Sequence, residues 1–190
     1  APTRAALLTG RNHHAVGMGL FPHVYLSADF PGYHGHLQPK DGTLAEVLQS
    51  NGYSTYQVGK WHLTPDAETS DAGPFVRWPS GKGFDRNFGF LGGAVDQYKP
   101  DLVEDNKHVP SDGRHLNELI TEKAIAYISR QKNLHPAKPF FLYYAPGATH
   151  APHQVDTFWS NKYKGKFDEG WDVYREKVFA RQKERGIIPA

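Results

Sequence analysis

Thr43-Leu44-Ala45-Glu46-Val47-Leu48-Gln49-Ser50-Asn51-Gly52-Tyr53-Ser54-Thr55-Tyr56-Gln57-Val58 reads as a helix, a turn and a strand in immediate succession. Thr43 with Glu46 is a capping box. The threonine hydroxyl accepts from the glutamate's backbone N–H, and the glutamate reaches back to the threonine's own N–H. Leu44, Val47 and Leu48 recur at helical spacing and predict one apolar helix face. Asn51-Gly52 suits the stop, since glycine tolerates the left-handed backbone on which helices end. Tyr53 to Val58 is rich in aromatic and β-branched residues, which predicts a strand. A helix turning straight into a strand is half of an α/β unit.

Upstream, Pro2 to Thr9 predicts a short helix, with proline at its first position and Gly10 at its end. Arg11 to Asp41 is rich in Gly, His, Pro and Tyr and reads as loop. Downstream, Thr64 to Pro110 carries clusters of Gly, Pro and Asp and is expected to be irregular. A second helix is predicted over Leu116 to Lys132, with Leu116, Leu119, Ile120, Ala124, Tyr127 and Ile128 on one side. Pro139 to Ala145 is a near-continuous apolar run, expected as a strand buried on both faces of a parallel sheet. A last helix is predicted from about Trp171 to Arg185, with Trp171, Tyr174 and Val178 facing inward.

Composition narrows the function classes. The 190 residues are 13% aromatic, which separates the chain from disordered sequences. A net charge of +2 is too weak to suggest nucleic acid or a membrane surface as partner. With no cysteine, the chain holds neither a disulfide nor a thiolate metal site. No apolar run approaches the ~20 residues of a membrane-spanning helix. Met18 is the only methionine, so Ala1 is not an ordinary translation start, and a partial sequence is expected.

Ligands of open α/β sheets bind beyond the carboxyl ends of the strands. Val58-Gly59-Lys60-Trp61-His62-Leu63 follows the first strand. If extended geometry continues, Lys60 and His62 point to one side and Trp61 to the other. That pair suits an oxyanion; a surface lysine and a structural histidine beside a core Trp would read the same. Gly147-Ala148-Thr149-His150-Ala151-Pro152-His153 follows the apolar strand, and its histidines suit metal, anion or plain solvent. Arg4 lies in the first turn of the N-terminal helix, where free N–H groups and a forked donor favour anions; an ordinary surface arginine would read the same. His13-His14 is an adjacent pair poorly placed to share a metal. Ser27, Ser54 and Thr55 lack the context of a nucleophile elbow. Asp85 and Asp96 are read as solvated loop residues.

These residues carry a family resemblance. Ala1-Pro2-Thr3-Arg4-Ala5-Ala6-Leu7-Leu8-Thr9-Gly10-Arg11 resembles the sulfatase signature without its first residue, a Cys or Ser. Gly59-Lys60-Trp61-His62-Leu63 resembles a second sulfatase motif. Gly83-Phe84-Asp85 with Gly89-Phe90 and Gly92-Gly93 resembles another recurrent segment. Phe140 to Tyr144 leading into Thr149-His150-Ala151-Pro152-His153 is similar to the strand and histidine loop that follow. The wording of Asn12 to Gly19 looks most like bacterial arylsulfatases.

The resemblance implies an α/β, alkaline-phosphatase-like sulfatase fold, here partial, with residues 1–190 an incomplete catalytic domain lacking the first strand and the C-terminal half. It implies hydrolysis of sulfate esters by a formylglycine just before Ala1, installed by a formylglycine-generating or sulfatase-maturing enzyme. It also implies a calcium ion whose ligands lie outside this chain, and either a periplasmic or a cytoplasmic bacterial setting. Carried over residue by residue, Arg4 would stabilise the formylglycine and Lys60 would bind a sulfate oxygen. His62 would hydrogen-bond the formylglycine hydroxyl, and His150 would contact sulfate or protonate the leaving oxygen. This piece alone is expected to be inactive. A phosphonate or phosphate ester hydrolase of the same superfamily and a non-catalytic anion-binding domain are the rival readings.

Overall fold

The computed structural model describes every residue except Tyr25, Ser27, Ala28 and Ala190. It separates into two units, Ala1–Gln154 and Val155–Ala190.

The first unit contains α1 (Pro2–Thr9), α2 (Leu44–Ser50), β1 (Ser54–Lys60), β2 (Arg86–Phe90), β3 (Leu102–Glu104), β4 (Lys107–Val109), α3 (Leu116–Leu134) and β5 (Phe140–Ala145). The strands form one mixed sheet in the order β4-β3-β2-β1-β5. β1 runs parallel to β2 and β5, while β2–β3 and β3–β4 are antiparallel. Strand alternation sends Tyr56, Val58, Phe88 and Phe90 to the face covered by Leu116, Leu119, Ile120, Ala124 and Tyr127 of α3. The opposite core gathers Ala5 and Leu8 of α1, Ala45 of α2, and Trp61, Trp78 and Phe84. Every residue of β1 is therefore buried. The expected α/β layering, a sheet between helices, is what the chain adopts.

α1 keeps its predicted bounds, and Gly10 ends it with φ 66°. The capping box of α2 is formed in both directions. The face of that helix differs from expectation: Leu44 and Val47 are exposed, and Ala45 is the residue turned inward. Gly83 packs against the backbone of Ala45 and Glu46, so closely that a Cβ on Gly83 would lie 2.3 Å from Glu46 N.

The stretch Thr64 to Pro110 is not irregular throughout, since it holds β2, β3 and β4. Asn87 and Gly89 are weak strand formers, and parallel pairing with β1 overrides their preference. The β3–β4 hairpin turns at Asp105, with φ 54°. Asp85 is not merely solvated: its carboxylate accepts from Thr55 N at 2.9 Å and Gln49 Nε2 at 2.7 Å, tying α2 to β1. β5 also corrects the reading. It is the sheet's edge, paired with β1 alone, and Tyr144 is 43% exposed. An apolar run marks a strand but not its place in the sheet.

In the second unit, α4 (Thr157–Ser160) precedes α5 (Gly170–Glu184). Trp171 is 87% exposed and Tyr174 is exposed too, against the expectation that they face inward. Phe167 packs edge-on to Tyr174 at 5.6 Å, and within this unit nothing covers Trp171.

Candidate active site

The carboxyl ends of the three parallel strands meet at small residues. Gly59 pairs with Gly89 on one side and Ala145 on the other. Gly59 has φ 95°, and a Cβ there would lie 2.2 Å from the Ala145 carbonyl oxygen. A Cβ on Gly89 would lie 1.9 Å from the Gly59 oxygen. Only glycine permits this approach.

Lys60 ends β1, yet pairing with the β2 side continues: Trp61 N donates to Phe90 O at 2.9 Å and His62 N to Leu91 O at 3.0 Å. His62 has φ 58°. Lys60 and His62 thus converge through a left-handed turn, not through strand alternation. Trp61 is in the core, its Nε1 donating to Arg77 O at 2.9 Å.

Lys60 Nζ donates to the Gly93 carbonyl. Burial, and then the Arg4 guanidinium, lowers its pKa. The pKa of His62 is also lowered, by burial first and then by the neighbouring cations Lys60 and Arg4. It is neutral at neutral pH, and among the described residues its Nδ1 has no hydrogen-bond partner. The ring lies parallel to Phe21, centroids 5.6 Å apart. It also abuts Gly93, where a Cβ would come within 2.7 Å of Cε1 and Nε2.

Arg4 reaches this cluster from α1. Its Nη1 donates to Lys60 O at 3.0 Å and to Tyr143 Oη at 2.8 Å. The guanidinium lies 6.0 Å from the centroid of the Tyr143 ring. Tyr143 was not singled out in the sequence; its only signal is alternation, which places it with Phe141 on the α1 side of β5. The Ala1 backbone nitrogen lies in the same half-buried cluster, close to Lys60 and Arg4. Any residue joined to that nitrogen starts beside Lys60 and Arg4.

His150 stands apart. It is exposed, and its Nδ1–H donates to Ala151 O at 2.8 Å. His153 Nε2–H donates to Thr149 O at 3.1 Å. Among the described residues no hydrogen bond or ring contact joins His150 to Arg4, Lys60 or His62. Gly147 of its loop packs against β2, where a Cβ would lie 3.1 Å from the Phe90 ring. His13 and His14 have ring centroids 4.2 Å apart, and His14 bonds Tyr33. Ser54 and Thr55 are buried in β1, and Ser27 lies outside the described residues.

Among the described residues there is no cluster of three or more His, Asp or Glu that could hold a metal. Calcium takes oxygen ligands, chiefly carboxylates and carbonyls. The groups around Lys60 are cationic and do not fit it.

The mixed α/β sheet is shared with known proteins. The sulfatase family profile matches residues 1–185, and the chain belongs to that family. It is 33% identical over its full extent to an uncharacterized sulfatase of Schizosaccharomyces pombe, of which it covers 36%. It is 30% identical to an arylsulfatase of Klebsiella aerogenes, matching 99% of this chain and 41% of that protein. The chain thus spans 36% to 41% of the length of these relatives. Ps i-CgsB in complex with k-i-k-neocarrahexaose superimposes with a TM-score of 0.65 at 25% identity, over 83% of this chain and 36% of that one. A protein bound to its substrate D-glucosamine-2-N,6-O-disulfate does so with a TM-score of 0.61 at 26% identity, over 86% and 27%. The fold is part of the alkaline-phosphatase-like sulfatase fold.

Proposed function

We propose that this chain supplies one wall of the active site of a sulfate ester hydrolase of arylsulfatase type, whose nucleophile is the residue preceding Ala1. The observation that carries the reading is the convergence of the cations Arg4 and Lys60 and the neutral His62 beside the Ala1 nitrogen, from α1 and the end of β1. Preorganised cations of this kind stabilise charge developing on transferring oxyanions without reorganising during reaction.

A formylglycine at that position, made by a maturing enzyme, would supply a hydrated aldehyde as nucleophile. Lys60 Nζ binds a sulfate oxygen. Arg4, already fixed by Lys60 O and Tyr143, holds positive charge beside the nucleophile. His62 is neutral, so its imidazole accepts a proton from the nucleophile's hydroxyl; its buried Nδ1 has no partner among the described residues. Bound sulfate offsets the repulsion from Lys60 and Arg4 and raises the basicity of His62, so the base strengthens once substrate is in place. His150 contacts sulfate or protonates the leaving oxygen from the β5 loop. A calcium ion would draw its ligands from elsewhere, and no step here is assigned to it.

The cluster fits phosphate as well as sulfate, so the test compares them. The whole protein is assayed on 4-nitrophenyl sulfate and 4-nitrophenyl phosphate, alongside Lys60→Ala and His62→Ala. Sulfate is expected to be the better substrate, with both variants strongly depressed. Preference for phosphate, or wild-type rates in both variants, contradicts the reading.

A further inference from the structure

The short segment after β2 touches both histidine-bearing loops. At one end Gly93 accepts from Lys60 Nζ and abuts the His62 ring. At the other it grips Gln154, the residue that closes the His150 loop. Gln154 Oε1 accepts from Gln97 N at 2.7 Å, and its Nε2 donates to Asp96 Oδ2 at 2.7 Å. Its carbonyl accepts from His115 Nε2–H at 3.1 Å. Asn117 N donates to His115 Nδ1 at 3.1 Å where α3 begins, so the ring proton must sit on Nε2.

The grip is itself anchored. Asp96 Oδ1 accepts from Tyr98 N at 2.8 Å and Lys99 N at 2.7 Å. Asp96 is therefore a fixed acceptor, not the solvated loop residue its sequence context suggested. The Gln154 amide, and then these backbone donors, hold its carboxyl below the usual range. Gln97 O accepts from Leu116 N at 2.7 Å, fastening the segment to α3. By contrast, the side chains of His150 and His153 bond only within their own loop.

We infer that Gln154, clasped by Asp96 and Gln97, is a positioning residue that holds the His150 loop in register with the Lys60–His62 pair. The inference rests on the proposed role of His150 at the leaving oxygen. Releasing the clasp frees the far end of the loop while β1, Lys60 and His62 keep their own contacts. The loss then falls on protonation of the leaving group, not on sulfate binding.

The test measures kcat and KM of the whole protein on 4-nitrophenyl sulfate, whose leaving group needs little protonation, and on phenyl sulfate, which needs more. The variants are His150→Ala, Gln154→Ala, Gln154→Met, which keeps the chain length and loses both side-chain bonds, and Gln154→Glu. His150→Ala should lower kcat on phenyl sulfate about tenfold more than on 4-nitrophenyl sulfate, an effect the size of general-acid catalysis or smaller. Gln154→Ala and Gln154→Met should show the same selectivity with KM little changed. Gln154→Glu faces Asp96 with a second carboxylate, and should lose kcat at neutral pH and regain it as pH falls. Selectivity in His150→Ala with equal or no loss on both substrates in the Gln154 variants overturns the clasp and leaves the proposed function intact. No selectivity in His150→Ala removes the role of His150, and the clasp with it.

Discussion

β1 and β5 are parallel neighbours, each ending in a histidine-bearing loop, and they are built in opposite ways. Every residue of β1 is buried, its last residue Lys60 bonds Gly93, and the loop beyond it lays His62 against Phe21 and Gly93. β5 is the sheet's edge, and its loop leaves His150 exposed. Burial makes the first loop an electrostatic device: desolvation and neighbouring cations keep His62 neutral beside a charged lysine. The second loop is exposed, and hydrogen bonds hold it within itself and at Gln154. The same local pattern, strand then histidine, therefore gives a buried neutral imidazole in one place and an exposed one in the other.

The largest expected effect lies at the buried end. Lys60→Ala in the whole protein should lower kcat/KM on an aryl sulfate by about a thousandfold, the scale of losing one preorganised charge contact. Steady-state kinetics reads it, and a loss below tenfold would place the sulfate elsewhere. Next comes Gly59→Ala, which drives a Cβ into the Ala145 carbonyl at a backbone φ of 95°. Urea denaturation should show a loss of about 3 kcal/mol or more.

The pH dependence of stability sharpens the contrast. Burial, with Lys60 and Arg4, holds the folded pKa of His62 below its value of 6.5 in an unfolded chain. Below pH 6.5 the unfolded chain takes up a proton that the folded site refuses. Stability attributable to His62 is intact above pH 6.5 and falls as pH drops below it, by at most about 1.4 kcal/mol per pH unit. His62→Gln should flatten that slope, measured by denaturation across pH. The smallest structural effect is expected at the exposed end: His150→Ala should leave unfolding free energy within about 0.5 kcal/mol of wild type.

Much of the fold was legible where signals are local. Pro2 and Gly10 bound α1, Thr43 and Glu46 start α2, and the periodicity of Leu116 to Tyr127 defines the buried side of α3. Lys60 and His62 were legible as a pair because both follow a recognisable strand. The left-handed turn that unites them was not, since a histidine at positive φ has no sequence mark. β2 was hidden because its glycine serves close approach to β1 and not strand propensity. The edge position of β5, the Tyr143 contact to Arg4, and the grip of Asp96 on Gln154 are long-range facts, set by which elements become neighbours.

The central claim is that the residue joined to the Ala1 nitrogen is the nucleophile, placed by Arg4, Lys60 and His62. Its most direct measurement is mass spectrometry of the peptide from the whole protein that contains that residue and Arg4, before and after reaction with an aldehyde-specific hydrazide. The account predicts an encoded Cys or Ser converted to an aldehyde that forms the hydrazone. Any other encoded residue, or an active enzyme whose peptide carries no aldehyde, would contradict it.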